Sequence, residues 1–143
     1  VGLKYRVYEH YCLIEDIIRE RRGPSEIERL IRVTARRDGV ETAIRMEQEP
    51  AGGKSLIEHY AVGVLRGYDF KGIVAGAADP AVRWGPIASF SEQGHVKILD
   101  GSWNDAFFEE IEIAPFGSHD DQVTAWAGAH KYLICGSLTA DIF

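Results

Sequence analysis

Phe116-Gly117-Ser118-His119-Asp120-Asp121-Gln122-Val123 sets a histidine and two adjacent carboxylates just ahead of an apolar run, Thr124-Ala125-Trp126-Ala127. Asp and Ser suit a helix start, where a side-chain oxygen accepts bonds from N–H groups that have no partner in the helix. The positive end of the helix dipole favours carboxylates there as well. Capping therefore accounts for one carboxylate. Two in a row, preceded by a histidine, exceed what a cap needs. Paired acids on a rigid element suit magnesium or manganese, because hard cations take oxygen ligands.

A second acidic pair strengthens that reading. Glu47 and Glu49 close the run Thr42-Ala43-Ile44-Arg45-Met46-Glu47-Gln48-Glu49-Pro50, which reads as a strand running into a turn. Residues two apart on a strand point the same way, so both carboxylates emerge on one face while the strand geometry lasts. Ala51-Gly52-Gly53-Lys54 then turns the chain into a helix. In open α/β sheets functional groups gather where strands end and loops begin. A solvated turn with ordinary surface acids is the alternative for this segment taken alone.

The elements that must position these residues are legible in outline. Tyr11 to Ile18 reads as a strand, broken by Gly23-Pro24. Ser25 and Glu28 have capping-box spacing, and Ile27, Leu30, Ile31 and Thr34 form a helical stripe that Gly39 stops. After the Glu47 strand, Leu56, Ile57, Tyr60, Ala61, Val64 and Leu65 mark a helix closed by Gly67. Tyr68 to Val74 reads as a short strand, and Gly76-Ala77-Ala78-Asp79-Pro80 as a loop. Pro86 is placed at the first turn of a helix ended by Gly94. His95 to Leu99 alternates as a strand, with Val96 and Ile98 facing one way. Trp103, Phe107, Phe108 and Ile111 mark a short amphipathic helix, and Val123, Trp126, Ala127, His130 and Leu133 a last one. Val1 to His10 begins without a turn or cap, as though the chain entered inside an element. Strands alternating with helices call for an α/β layer, partly parallel.

Composition bounds the function. The 143 residues suit one domain with a real core. No apolar run approaches membrane-spanning length and no signal-peptide pattern opens the chain, so no membrane partner and a cytoplasmic setting are expected. Cys12 and Cys135 make no CxxC pair, which argues against zinc, and both read as buried thiols. A net charge of −6 argues against a protein that coats nucleic acid through bulk electrostatics, though not against an enzyme that reaches DNA through bound cations. Basic residues cluster locally at Arg19-Glu20-Arg21-Arg22 and Arg36-Arg37. No GxxxxGK[ST] loop occurs, because the first glycine is missing at the required spacing before Gly53-Lys54-Ser55.

Taken in order, these motifs resemble the C-terminal nuclease region of phage terminase large subunits, from about Tyr11 to Leu133. The resemblance rests on Gly23-Pro24-Ser25-Glu26-Ile27-Glu28-Arg29, Glu47-Gln48-Glu49-Pro50-Ala51-Gly52-Gly53-Lys54, Arg83, Gly94-His95-Val96-Lys97-Ile98, Trp103-Asn104 and Phe116 to Val123. It implies an RNase H-like mixed sheet flanked by helices, entered here after its first strand. It also implies a metal-dependent endonuclease that cuts double-stranded DNA with two Mg2+ or Mn2+ ions. On that resemblance Glu47 or Glu49 supplies the second acid and Asp120 or Asp121 the third, with Glu47, Asp121 and Asp120 as metal ligands. His119 orients a carboxylate or phosphate, and Lys54 and Arg83 meet DNA phosphates. The implied partners are an ATPase domain, absent from this chain, a small terminase subunit and a portal, in a bacterial host's cytoplasm.

The chain departs from the family pattern in three places. On the resemblance, the first catalytic aspartate is expected on a strand upstream of the one at Tyr11, outside this sequence, and Glu15 and Asp16 sit on a different strand. A Gly-Asp-Lys run before the arginine is Ala78-Asp79-Pro80 here, and an aspartate that the family often carries after the valine of the last motif is Thr124. Cleavage by this chain is therefore expected to be impaired, and an uncovered sheet edge is expected to favour a homo-oligomer. A non-catalytic RNase H-like interaction module, or prophage remnant, is the alternative from another functional class. A junction resolvase would share the metal logic.

Overall fold

The computed structural model describes residues 1–74, 79–135 and 141–142. The class is mixed α/β, as expected. The chain divides into two compact units, one formed by Val1–Arg19 with Ala78–Ile142, the other by Glu20–Ala77.

In the first unit, β1 (Gly2–Val7) and β2 (Cys12–Ile18) make an antiparallel hairpin, with Val7 opposite Cys12. Alternation sends Leu3 and Tyr5 of β1 inward, and Cys12 and Ile14 of β2 with them. The next inward residue on β2 is Ile17, three positions on, and a register shift between Lys4 and Tyr5 accommodates the odd step. Val1 to His10, illegible as an element in the sequence, thus holds a complete core strand. Two short strands extend the sheet. β5 (Val96–Ile98) runs parallel to β2, and β6 (Asp141–Ile142) pairs with β1 at Tyr5.

Among the described residues this unit also holds the helices α3 (Pro80–Glu92), α4 (Asn104–Ile113) and α5 (Asp121–Cys135). Helix α5 packs on both β1 and α3. Tyr5, Cys12, Ile14, Ile87, Phe107 and Trp126 are prominent in the shared core. Each large apolar side chain buried there contributes about 1.5–3 kcal/mol. Phe108, expected on the inner stripe of α4, is 45% exposed. Its neighbour Phe107 takes the core position and is fully buried.

Helix α3 starts earlier than its sequence suggested. Pro80, not Pro86, occupies the first turn, and Asp79 caps it by accepting the Ala81 amide at 2.8 Å. The missing N–H of a proline costs nothing in the first turn, whereas Pro86 falls inside the helix. The loop expected over Gly76-Ala77-Ala78 and the thiol of Cys135 lie outside the described residues.

The second unit contains α1 (Pro24–Asp38), β3 (Thr42–Gln48), α2 (Gly53–His59) and β4 (Phe70–Val74). A π turn over Tyr60–Val64 continues α2. β3 and β4 are parallel, in register from Ile44 opposite Phe70 to Gln48 opposite Val74. Their core gathers Ala35, Ile44, Tyr60, Val64 and Leu65. Gly72 on β4 lies directly under Ile57 of α2, where an added Cβ would stand 2.9 Å from two Ile57 carbons. The expected Ser25–Glu28 box is not what starts α1. Glu26 reaches back to the Gly23 amide at 3.4 Å, while Glu28 binds Arg32 and His59.

Arg45 is a buried charge in this unit, its side chain 2% exposed beside the apolar core. Its Nη1 donates to the carbonyls of Ile44 and Asp69, each at 2.8 Å, and Nη2 to the Asp69 carboxylate at 3.1 Å. A guanidinium so paired locks the β3–β4 connection at the cost of its own desolvation.

Candidate functional site

The geometry of the acidic segment is set by a residue that was not a sequence candidate. Glu110, on the inner face of α4, is 7% exposed. Its Oε1 accepts the backbone amides of Gln122 (2.7 Å) and Val123 (3.1 Å) at the first turn of α5. Its Oε2 accepts the Gln122 side-chain amide at 2.6 Å, and that amide also donates to the Ala106 carbonyl. A carboxylate from the preceding helix thus satisfies donors that a capping residue would otherwise take. The negative charge also sits at the positive end of the α5 dipole.

Asp120 and Asp121 are consequently spared that task. Asp120 holds the cap position by its backbone, its carbonyl accepting Thr124 N at 2.8 Å. Among the described residues neither Asp120 nor Asp121 has a side-chain hydrogen bond or ion-pair partner. Asp120 is half-buried; Asp121 and His119 are exposed. Two successive carboxylates therefore sit at a helix start anchored from beneath, neither with a side-chain partner among the described residues.

Glu47 and Glu49 belong to the other unit. Glu47 is the penultimate residue of β3, and Glu49 lies just past the strand end. Both are exposed. The Glu49 carbonyl accepts Gly53 N at 3.2 Å, closing the turn into α2, and Gly52 within that turn takes a positive φ of 92°. Gly53 lies so near Gln48 that a Cβ would meet its backbone carbonyl carbon at 3.2 Å. The glycine pair, read as a flexible turn, is therefore needed for a tight one. Lys54 follows on the exposed face of α2. Arg83, in α3 of the first unit, is half-buried, and its Nε is shielded from solvent without a hydrogen-bond partner among the described residues.

The donor chemistry suits a hard cation: carboxylate oxygens, two of them adjacent and uncommitted. Among the described residues no three His, Cys, Asp or Glu side chains converge as a metal-holding group. Magnesium is commonly held by one or two carboxylates together with waters and substrate phosphates, so the aspartate pair fits such a role without a closed protein cage.

A second polar cluster lies deep in the first unit. The Tyr5 hydroxyl and His130 Nδ1 are 2.9 Å apart, and the Phe90 ring meets the His130 ring edge-on at 4.8 Å. Burial holds the His130 imidazole below its ordinary pKa, which keeps it neutral and lets Nδ1 accept from the hydroxyl. Burial also pushes the Tyr5 phenol and the Cys12 thiol above their ordinary ranges. These groups, sealed in the core, serve packing.

No family model, curated protein or solved structure matches this chain. Among the described residues no helix is long and apolar enough to cross a membrane.

Sequence reasoning missed Glu110, although a signal was present. Trp103, Phe107 and Glu110 recur at helical spacing, so Glu110 falls on the apolar stripe. A carboxylate there requires a buried partner, and the next helix start is the nearest source of free N–H groups.

Proposed function

We propose that this chain is the nuclease region of a phage DNA-packaging terminase, an RNase H-like domain that hydrolyses phosphodiester bonds of double-stranded DNA with Mg2+ or Mn2+. On the resemblance, the reading gives cation-binding roles to the carboxylates of Asp120 and Asp121 in the first unit and of Glu47 and Glu49 in the second, with His119 next to the first pair in sequence. Bound divalent cations would supply charge stabilisation and a water activated at neutral pH. The chain's own residues supply position. Glu110 and Gln122 hold the backbone at the α5 start, which fixes where Asp120 and Asp121 leave the chain. Lys54 on α2 and the half-buried Arg83 on α3 are the cations this reading assigns to phosphate.

The observation that carries the proposal is the division of labour at α5. Glu110 does the capping, so the Asp120–Asp121 pair has no structural partner to explain it. Calorimetric titration of manganese into the wild-type chain and Asp120→Ala/Asp121→Ala tests this directly. Carboxylate-dependent binding, followed by metal-dependent cutting of linear duplex DNA that Asp121→Asn abolishes, supports it. Equal manganese binding by both chains sinks the aspartate assignment.

A non-catalytic interaction module is the second reading. The lack of a three-ligand group among the described residues favours it. It requires that no manganese binding depend on these carboxylates.

A further inference from the structure

The charges of the chain are unevenly distributed. Residues 20–77 carry ten Lys and Arg against nine Asp and Glu, while the remainder carries six against thirteen. Within the basic part, helix α1 concentrates arginine on its solvent face. At 3.6 residues per turn, Arg29, Arg32 and Arg36 fall within about 60° of arc. Arg29 and Arg36, seven residues apart, are separated by about 10 Å along the axis. All three are exposed, as is Val33 beside them, at 54%.

The acids of α1 leave this row largely unneutralised. Glu26 is turned back to the Gly23 amide. Glu28 is shared between Arg32, at 3.1 Å, and His59, at 3.0 Å. Asp38 pairs with Arg37, off the row. Among the described residues Arg29 and Arg36 have no carboxylate within ion-pair distance. The helix dipole favours Arg36 in the last turn, but it does not account for Arg29 near the helix centre.

We infer that the outer face of α1 is a phosphate-backbone contact surface for duplex DNA, with Arg29, Arg32 and Arg36 as its cations. Phosphates of one strand advance about 3.4 Å along the duplex axis per nucleotide, so a row about 10 Å long is long enough to meet more than one of them. Each guanidinium can grip a phosphate with two parallel N–H bonds. Such contacts position the duplex and carry no base specificity. The choice of duplex DNA as ligand rests on the nuclease reading above; the row and its charge do not.

The test is fluorescence anisotropy with a labelled duplex of about three helical turns. It is run in EDTA, so that neither metal nor cleavage enters, and salt is varied from about 50 to 200 mM. Each lost phosphate contact lowers the magnitude of the log–log salt slope by about 0.9. Arg29→Gln/Arg32→Gln/Arg36→Gln should therefore lose two to three units of slope, equally for unrelated sequences. The corresponding triple lysine variant should retain most of that slope. An unchanged slope in the glutamine variant, or no duplex binding by the wild-type chain at low salt, overturns the inference. So does poly-glutamate binding as tightly as DNA, which would assign the face to acidic proteins. Failure here leaves the manganese titration of the aspartate pair standing, and failure there leaves this slope standing.

Discussion

The Glu110 carboxylate and Gln122 are joined twice, by the Gln122 backbone amide at 2.7 Å and by its side-chain amide at 2.6 Å. The start of α5 is therefore fastened to α4 through a buried charge, not by a residue of its own. Glu110→Ala would leave the Gln122 and Val123 amides without this acceptor. The expected loss of stability is about 3 kcal/mol in denaturant unfolding, at the upper end for a charged hydrogen-bond acceptor. Glu110→Gln, which keeps one acceptor oxygen, should lose less.

Removing the neighbouring aspartates should have the opposite profile. Asp121→Ala gives up only a favourable dipole interaction, so its stability should change by less than about 1 kcal/mol. Its manganese affinity should nonetheless fall. A large destabilisation by Asp121→Ala would mean that the aspartate caps the helix after all.

Acidification should weaken the fold through His130. Burial lowers its folded pKa below the ordinary 6.5, so the unfolded chain binds the proton more readily. Stability is therefore fully present above that value and declines as pH falls through it toward the folded pKa. Thermal midpoints measured from about pH 7 to about pH 5 should drop more in the wild-type chain than in His130→Gln. Parallel curves would show that His130 is not the group titrating.

Close packing under α2 gives a further expectation. Gly72→Ala places a methyl 2.9 Å from two Ile57 carbons, and the β4–α2 contact must open to admit it. Overpacking of this kind costs about 1–3 kcal/mol. Ile57→Ala in the same chain should recover part of that loss, which a double-mutant cycle would read.

Much of the architecture was legible because it is locally encoded. Val123, Trp126, Ala127, His130 and Leu133 recur at helical spacing, and α5 covers all of them. Val96 and Ile98 alternate, and β5 covers both. The Glu47 strand, the helix after Lys54 and the following strand fell close to their expected places for the same reason. The start of α3 was misread because two prolines competed for one first turn. Only the Asp79 side chain, which caps at Pro80, decides between them.

Residue types and spacing alone determined an α/β chain with two acidic pairs at element ends, because periodicity and turn chemistry act over a few residues. Tertiary structure decided which of those acids have structural work. β1 became a core strand only by pairing with β2, and Asp120 and Asp121 were freed only because Glu110 crosses from α4 to cap α5. Both outcomes depend on groups brought together across the chain. A buried carboxylate must find donors wherever the fold supplies them, and sequence spacing does not say where that is.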